Sequence, residues 1–341
     1  MTPAPDARRR ALQDFVAQTL GAAPNSIAPA SADASFRSYW RVRCGAASWV
    51  VMDAPPALED VRPWLAIGAR LGAAGLRTPA VRAQDLEQGF LLLEDFGSRT
   101  LLPELTAANV EEHYGRALDA IVAMQQRAAC ADLPAFDAAW ATQELELMPT
   151  WFLQRHLGLD PGCGDWDVLE LAFRRILDAL AQQPQRFMHR DFHSRNLMLL
   201  ADGDLGVIDF QGAMRGPCTY DAVSLLRDCY IAWPAARVGA WAEDLRGRLV
   251  AAGLPAADPA TFRRWFDLTG LQRHLKVLGI FCRLCYRDGK PQYLADLPLV
   301  LRYVLEACAA WPEFADLAAL LRRAVAARPL TQPRPAADAP A

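Results

Sequence analysis

The hydrophobic positions of the chain follow two patterns, and the change between them comes near residue 97. In the first part, Ser38–Cys44 and Ser48–Asp53 have the β-branched and aromatic content of strands, with a turn at Gly45 between them. Gly89–Asp95 is a continuous apolar run, which is typical of a buried strand. Apolar residues at helical spacing precede these strands and lie between them. The first 97 residues are therefore predicted to form a small strand-rich lobe with an N-terminal helix.

Helical periodicity dominates the rest of the chain. The predicted helices are Val110–Arg127, Ala138–Leu157, Asp167–Gln182, Tyr220–Leu226, Arg237–Ala252, Pro259–Arg287 and Val300–Ala310. One non-helical island, residues 187–216, interrupts them, and the Pro- and Ala-rich residues 331–341 are expected to be disordered. The sequence thus predicts an α+β fold with two lobes, a small β-rich N-lobe over residues 1–97 and a larger, mainly helical C-lobe over residues 98–330.

Composition limits the class of protein. The 341 residues are 52% hydrophobic and 22% charged with a net charge of −3, so we expect a folded protein that is not a general binder of nucleic acid or anionic membranes. No apolar run approaches the roughly 18 residues of a membrane span. We expect a cytoplasmic protein with reduced, buried cysteines and no obligatory protein partner. Only two of the 36 basic residues are lysines, Lys276 and Lys290.

The non-helical island contains the polar residues that suggest chemistry. Two short apolar stretches, Leu197–Leu200 and Leu205–Ile208, are predicted to form a β-hairpin through the turn Ala-Asp-Gly-Asp. Asp191 and Asn196 come before this hairpin, and Asp209 follows it directly. The three polar side chains are therefore expected at one end of the hairpin.

These residue types suit phosphoryl transfer. A carboxylate must orient the attacking hydroxyl, and Mg²⁺ takes oxygen ligands beside the phosphates. The order His-Arg-Asp, four residues, Asn, a hairpin and then Ile-Asp-Phe matches the catalytic loop and metal-binding Asp of kinases. A polar turn with a capping Asp and a hydrogen-bonded Asn explains fewer of these features. A zinc site at His189 and His193 is disfavoured because the segment is not helical and lacks the required glutamate.

The segment from Phe187 through Asp221 resembles the aminoglycoside phosphotransferase family, whose members have a protein-kinase-like fold and phosphorylate small molecules. The resemblance extends to three segments: Ser35–Val42, Leu92–Gly97 and Gly216–Asp221. It implies ATP and Mg²⁺ as cofactors. It also implies that Asp191 is the catalytic base and that Asn196 and Asp209 are the magnesium ligands.

The same resemblance implies supporting roles for other residues. The N-lobe would bind the nucleotide, with backbone groups around Glu94, Asp95 and Phe96 holding adenine. The C-lobe would carry the catalytic loop and the acceptor site. His189 would pack beneath the metal-binding loop, and Asp221 would be a buried carboxylate that steadies the catalytic loop. A simple helix N-cap is an equally good interpretation of Asp221.

Two features depart from the family pattern. The loop that should cover the phosphates, residues 32–37, lacks the expected glycines. The strand that should carry the nucleotide-binding lysine has Met52 at that position, and the next helix has acids only at its start, such as Glu59. The usual Lys–Glu ion pair therefore cannot form. Arg37 or Arg41 could substitute for the lysine, although each is also interpretable as an exposed strand arginine.

The spacing after the metal-binding Asp indicates a small-molecule acceptor. Only ten residues separate Asp209 from Tyr220, which is too few for a phosphorylatable activation loop and a peptide platform. Arg190 would pair with such a phosphorylated loop in regulated protein kinases, and the sequence shows no evident partner for it. A sugar or another small molecule is the predicted acceptor.

Within the family, the chain resembles the anomeric kinases of bacterial cell-wall recycling. The residues that carry this likeness are Val51–Pro55, His189–Met198, Ile208–Gln211 and Gln272–Gly279. The likeness implies phosphorylation of the anomeric hydroxyl of N-acetylmuramate or N-acetylglucosamine. Candidate acceptor residues are Gln211, Arg155, His156, Arg273, His274 and Lys276. The basic residues among them are also interpretable as solvated helix residues.

Two alternatives remain open at the level of sequence. A kinase for aminoglycosides, homoserine or an amino alcohol would need an acid-lined acceptor pocket, because most of these acceptors are cationic. A nucleotide-binding pseudokinase would explain Met52, although such proteins usually lose the base and metal residues first, and those are intact here.

Overall fold

The structure is a computed structural model that describes residues 5–31, 37–326 and 328–335. Residues 32–36 of the predicted phosphate-covering loop and residues 336–341 of the predicted tail lie outside the described part of the chain. Within the described part of that tail, the Arg334 backbone N–H donates to the Tyr286 hydroxyl at 2.7 Å.

The chain divides into two compact units. The first unit contains the described residues up to Ala117 together with Ser194–Gly212, and the second contains Leu118–His193 and the described residues from Ala213 onward. The hairpin segment that follows the catalytic loop therefore belongs to the first unit. The lobe boundary after Gly97 stays a prediction.

The first unit is built on a five-stranded antiparallel sheet. Its strands are β1 (Ser26–Ser31), β2 (Ser38–Cys44), β3 (Ala47–Asp53), β4 (Val81–Asp85) and β5 (Phe90–Glu94), in the spatial order β1-β2-β3-β5-β4. At the centre of the sheet, Met52 of β3 lies opposite Tyr39 of β2 and Leu91 of β5. The strands predicted over residues 38–53 and 89–95 are confirmed. Strand β4 lies at the edge of the sheet and is mostly exposed, so its apolar pattern was too weak to predict it.

Four shorter strands form two further pairs. They are β6 (Gln185–Met188), β7 (Leu197–Leu199), β8 (Leu205–Val207) and β9 (Met214–Pro217). Strands β6 and β9 pair in the second unit, and β7 and β8 form the predicted hairpin in the first. Gly203 lies in the hairpin turn at φ 84°, a conformation that glycine adopts without strain.

Helices α1 (Pro5–Leu20), α2 (Arg62–Ala73) and α3 (Leu101–Glu104) complete the first unit, apart from the start of the next helix. Helix α1 packs against the sheet, where Phe15 stacks on Phe90 with ring centroids 5.6 Å apart. Helix α2 buries Trp64, Ile67 and Leu71, which recur at helical spacing and form one apolar stripe.

The second unit is mainly helical. Its helices are α4 (Val110–Arg127, which begins in the first unit), α5 (Ala138–Leu145), a π-helix (Met148–Leu157), α6 (Cys163–Ala181), α7 (Tyr220–Leu226), α8 (Ala235–Ala251), α9 (Pro259–Tyr286), α10 (Leu297–Ala310) and α11 (Ala315–Val325), with 3₁₀ turns at Pro291–Asp296 and Pro312–Phe314. Helix α9 is buried over most of its length and runs through the core of this unit. A Cβ at Gly279 would lie 2.4 Å from the Leu147 backbone, so glycine is needed where α9 approaches the π-helix.

Two sequence predictions need correction here, and one helix was missed. The single helix predicted over Ala138–Leu157 is two elements, because the chain changes to π-helical geometry from Met148, with Pro149 near its start. Helix α11 was not predicted. All eight cysteines are free, as expected, but they are not all buried: Cys163 is exposed at the start of α6, and Cys44 and Cys130 are partly buried. Among the described residues, the helices include none that is both long and apolar enough to cross a membrane.

Candidate active site

A cavity of about 320 Å³ lies within the first unit, which is large enough for a small ligand or part of a nucleotide. It brings together many of the residues that the sequence singles out. These lining residues include Arg41, Glu94, Asp95, Phe96, Asn196 and Asp209. Apolar side chains, among them Val50, Leu93, Met198 and Ile208, supply the rest of its wall. This combination of apolar walls and polar side chains suits a flat aromatic group with a polar end.

The segment after β5 is fixed by an ion pair. The Arg41 guanidinium donates to both carboxylate oxygens of Asp95, at 2.7 and 3.0 Å, and to the Gly97 carbonyl at 2.7 Å. Burial alone would raise the pKa of Asp95, but hydrogen bonds from Arg41 and Ser48 hold it below its usual value. Arg41 is therefore not an exposed strand arginine. Its contacts with Asp95 and Gly97 hold the chain at the edge of the cavity.

Glu94 and Phe96 flank this ion pair. The Glu94 carboxylate lies 3.4 Å from the Arg77 guanidinium and accepts from the Ala80 backbone N–H at 3.3 Å. The Phe96 ring packs against β8 where a Cβ at Gly206 would lie 2.6 Å from it. The ring can therefore line the cavity only because position 206 has no side chain.

The hairpin places Asn196 and Asp209 together, as predicted. The Asn196 amide donates to Asp209 at 3.3 Å, and the Ile208 backbone N–H donates to the Asn196 carbonyl at 3.1 Å. Gln211 donates to the other oxygen of Asp209 at 2.7 Å. Asp209 has a φ of 61°, which is uncommon for a residue with a side chain. The next residue, Phe210, is fully buried and packs on Trp64 of α2, with ring centroids 5.0 Å apart.

The donor set fits a divalent cation that also binds phosphate. Asp209 offers carboxylate oxygens, its side chain is 37% exposed, and an Asn196 amide turned about its last bond would offer its oxygen. The described residues include no group of three or more His, Cys, Asp or Glu side chains that could hold a metal alone. Mg²⁺ commonly takes one or two protein carboxylates and completes its shell with phosphate oxygens and water. Asn196 and Asp209 together match that habit.

Arg37 places a cation near Asp209. Its guanidinium lies 3.5 Å from Glu59 and 3.8 Å from Asp209, and the residue is 9% exposed. Met52 is fully buried in β3. Met52 rules out the usual Lys–Glu pair, and Arg37 forms an ion pair with Glu59 near Asp209. Arg37 is not an exposed strand arginine.

The predicted catalytic loop, where it lies in the second unit, is held through its backbone. Asp221, in the first turn of α7, accepts from the N–H groups of His189 at 2.8 Å and Arg190 at 3.0 Å. Burial raises the pKa of Asp221 to about 7, against the lowering effect of these two donors. His189 is fully buried with its ring against Phe192. Asp221 therefore lies where a loop-steadying carboxylate is expected.

Asp191 follows Arg190 and lies in a positive field. Burial alone would raise the pKa of Asp191, but the charges of Lys276, His193 and Arg190 hold it below its usual value. Arg190 itself has a φ of 77°, in the left-handed region that non-glycine residues rarely adopt.

Arg190 has a partner that the sequence does not reveal. Its guanidinium donates to Glu144 of α5 at 3.1 Å. The same carboxylate lies 2.9 Å from Lys276 and accepts from Gln272 at 3.1 Å, and both residues are on α9. The expectation that Arg190 lacks a partner is therefore wrong. Glu144 could not be singled out, because it lies 46 residues from Arg190 and 132 from Lys276 in the chain.

The proposed acceptor residues occupy different surroundings. Arg273 is buried with its guanidinium 3.2 Å from the Cys229 sulfur. His274 is fully buried and hydrogen-bonds the Arg227 carbonyl at 2.9 Å, and burial lowers its pKa to about 3. His156 and Lys276 are also buried. The interpretation of these four basic residues as solvated helix residues is wrong.

Arg155 is on the π-helix and contacts a different part of α9. Its guanidinium covers the ring of Tyr286, ten residues beyond Lys276 on that helix. At 1.5 Å per residue this corresponds to about 15 Å along the axis. Arg155 and Lys276 therefore belong to separate clusters, while Gln211 is in the first unit beside Asp209.

Comparison with known proteins agrees with this geometry. The phosphotransferase enzyme family matches residues 26–259. A protein of Pseudomonas aeruginosa named N-acetylmuramate/N-acetylglucosamine kinase is 45% identical over 90% of this chain and 91% of its own. A Neisseria meningitidis protein of the same name is 39% identical over 86% of this chain and 88% of its own.

Two solved structures resemble the fold. A choline kinase of Streptococcus pneumoniae has a TM-score of 0.61 with 11% identity, over 87% of this chain and 99% of its own. An ADP-bound aminoglycoside phosphotransferase has a TM-score of 0.60 with 13% identity, over 89% and 99%. At these identities the likeness concerns the fold alone, and it confirms the predicted protein-kinase-like architecture.

Proposed function

The chain belongs to the phosphotransferase enzyme family, and from that premise we propose that it transfers the γ-phosphate of ATP to the anomeric hydroxyl of an N-acetylated amino sugar. The observation that carries the proposal is the shared name of relatives that match about nine-tenths of the chain, N-acetylmuramate/N-acetylglucosamine kinase. Use of ATP implies a cytoplasmic enzyme.

In this proposal the first unit binds the nucleotide. Adenine would enter the cavity against Val50 and Leu93, beside the backbone of Glu94–Phe96. Asn196 and Asp209 would hold Mg²⁺, and the bound cation would supply positive charge that offsets the negative charge developing during transfer.

Arg37 takes the place of the missing nucleotide lysine. Its ion pair with Glu59 fixes a guanidinium beside Asp209, where it can donate to phosphate oxygens. This contact weighs against the pseudokinase alternative, because Arg37 provides a cation in this unit although position 52 is a methionine and not a lysine.

Asp191 acts as the base that orients the acceptor hydroxyl and takes its proton. The positive field of Lys276, His193 and Arg190 supports this role because it keeps Asp191 ionised near neutral pH. The same field disfavours a polycationic acceptor and favours a neutral sugar or one that carries a carboxylate.

The test is Mg²⁺-dependent ADP release with N-acetylmuramate, N-acetylglucosamine, glucose, kanamycin, homoserine and choline as acceptors. We expect turnover only with the N-acetyl sugars, and phosphorus-coupled NMR should locate the phosphate on the anomeric carbon. Turnover confined to kanamycin or choline, or phosphate on another carbon, would overturn the proposal.

The proposed role of Asp191 has its own variant. Asp191→Asn should lower kcat by about 10³-fold because general base catalysis typically contributes 10²- to 10⁴-fold. Asp288→Asn, which changes an exposed aspartate of the same unit, is the matched control. Substantial ADP release from Asp191→Asn with sugar present would contradict this mechanism.

A further inference from the structure

The Glu144 carboxylate is the centre of a buried polar cluster in the second unit. One of its oxygens lies 2.9 Å from Lys276 and accepts from Arg190 at 3.1 Å and Trp140 at 3.3 Å. The other oxygen accepts from Gln272 at 3.1 Å. The side chain is 8% exposed. With its oxygens engaged by side chains of three separate segments, Glu144 is placed to organise the protein and not to bind a ligand.

The residue that Glu144 binds on the catalytic loop is in an unusual conformation. Arg190 directly precedes Asp191 and has a φ of 77°. A left-handed residue with a side chain persists only where its surroundings fix it. Asp221 fixes the backbone N–H of Arg190, and Glu144 fixes its guanidinium. Both ends of the residue before the proposed base are therefore tied.

Lys276 links these two attachments. Its ammonium group lies between Glu144, at 2.9 Å, and the hydroxyl of Tyr220, at 3.3 Å. Tyr220 is buried and immediately precedes Asp221 on α7. Lys276 thus connects Glu144, which binds the Arg190 side chain, through Tyr220 to Asp221, which binds the Arg190 backbone.

In kinases that are switched on by phosphorylation, a phosphate on the activation loop pairs with arginine and orders that region. This chain has ten residues between Asp209 and Tyr220, and its Arg190 already faces a carboxylate. A carboxylate from a helix provides the anion permanently and needs no second enzyme to install it.

We propose that Glu144 is a positioning residue for phosphoryl transfer: it is the built-in anion that holds Arg190, and through Arg190 the loop bearing Asp191, with Lys276 balancing its charge. This inference rests on the proposed function of Asp191. The competing interpretation is that the Glu144–Lys276 pair serves only folding stability.

The first test is a cycle of three variants: Glu144→Gln, Arg190→Met and the double variant. Glu146→Gln is the matched control, because Glu146 is exposed at the end of the same helix. We expect Glu144→Gln to lower kcat by about 30- to 100-fold, since misplacing a reacting group by 1 Å can lower the rate 10²-fold. KM for ATP should change by less than about twofold, because the nucleotide residues are in the other unit.

If Glu144 acts through Arg190, the double variant should be no slower than the worse single variant. Losses that multiply in the double variant would overturn the proposal, as would a Glu144→Gln rate equal to that of Glu146→Gln.

A second comparison separates positioning from folding stability. Glu144→Gln leaves buried cations without their anion and can unfold the protein, whereas the pair Glu144→Gln with Lys276→Met removes both buried charges. We expect the pair to recover the melting temperature of the wild type to within a few degrees but not its kcat. Recovery of both quantities would show that the cluster serves stability alone and would overturn the proposal.

Hydrogen exchange gives a measurement that does not depend on turnover. In the Glu144→Gln with Lys276→Met protein, the amides of residues 187–193 should exchange at least about tenfold faster, while those of the β1–β5 sheet should not change. Unchanged exchange in residues 187–193 would contradict the proposal even if no acceptor sugar were phosphorylated. Conversely, activity in Asp191→Asn would refute the role of Asp191 and leave the exchange result standing.

Discussion

Asp209 in the first unit has a side chain that is 37% exposed at the edge of a cavity, whereas Glu144 in the second unit is 8% exposed and surrounded by donors. Both are carboxylates near arginines, but the arrangements differ. The carboxylate of Asp209 borders the cavity, where it accepts from Gln211 and Asn196 and lies 3.8 Å from Arg37. Glu144 has tight contacts with Arg190 and Lys276. The first arrangement can accept a ligand, and the second can only hold neighbouring segments in place.

This difference has an energetic side. Burying a charge is unfavourable unless partners compensate it, and removing one partner from a buried pair is more damaging than removing an exposed one. Variants of the first unit should therefore affect ligand binding and rate, whereas variants of the second should affect stability as well. The following predictions test that division.

The largest effect is expected at Asp209. Asp209→Asn should lower Mg²⁺-dependent ADP release by about 10³-fold, because this carboxylate is the proposed charged ligand of the cation. Its melting temperature should stay within a few degrees of the wild type. Asp202→Asn, in the exposed turn of the same hairpin, is the control and should retain full activity. A large fall in melting temperature with Asp209→Asn would contradict the comparison.

The second effect is on stability. Lys276→Met should lower the free energy of unfolding by about 3 kcal/mol, since it leaves Glu144 buried with part of its compensation removed. Lys290→Met changes the other lysine of the chain, which lies outside the cluster, and should stay within about 0.5 kcal/mol of the wild type. Urea unfolding followed by circular dichroism measures both. Equal effects of the two substitutions would contradict the proposed contribution of the buried Glu144–Lys276 pair to stability.

A smaller effect is expected at Glu59, which lies three residues before α2. Glu59→Gln should raise the KM for ATP about tenfold, because Arg37 loses the carboxylate that fixes its guanidinium. The neighbouring Asp60→Asn removes only an exposed pair with Arg62 and should leave KM unchanged. Steady-state kinetics at saturating sugar would distinguish them. Identical KM values for the two variants would contradict the proposed role of Arg37 in nucleotide binding.

The smallest effect concerns pH. Burial lowers the pKa of His274 to about 3, so between about pH 6.5 and 3 the unfolded chain binds a proton at this histidine that the folded chain does not. Stability from neutral His274 is therefore present above that window and is lost as the pH falls through it.

Asp221 opposes this dependence. Its pKa of about 7 means that the folded chain binds more protons than the unfolded chain between about pH 4 and 7, so its contribution to stability falls as the pH rises. The difference in free energy of unfolding between the wild type and His274→Gln should nevertheless grow in favour of the wild type by about 1 kcal/mol for each pH unit from pH 4 to 6. Urea unfolding across this range measures it, and a constant difference would show that His274 is not held neutral.

The part of the site that sequence could predict lies close together in the chain. Asn196, the hairpin and Asp209 fall within fourteen residues, so the turn and the strand pattern determine their geometry locally. The phosphotransferase family and the fold were also predictable, because the motifs of Asp191 and Asp209 are specific in combination. Both predictions are confirmed.

The remainder depends on contacts between distant segments. Glu144 reaches Arg190 and Lys276 across 46 and 132 residues, and nothing in the sequence around it distinguishes it from Glu146. A helical wheel assigns charged residues to solvent, but α9 is buried around most of its circumference, so that rule failed for Lys276. The roles of the acceptor residues stay predictions.

Met52 has a practical consequence for finding this enzyme in a cell. A nucleotide that carries an amine-reactive acyl phosphate labels ordinary kinases at the lysine beside the phosphates. Here a buried thioether occupies that position in β3, and both lysines of the chain belong to the second unit. Acylating ATP probes would therefore not label this protein even when its nucleotide site is fully active. Chemistry directed at guanidinium groups is the better choice for its capture.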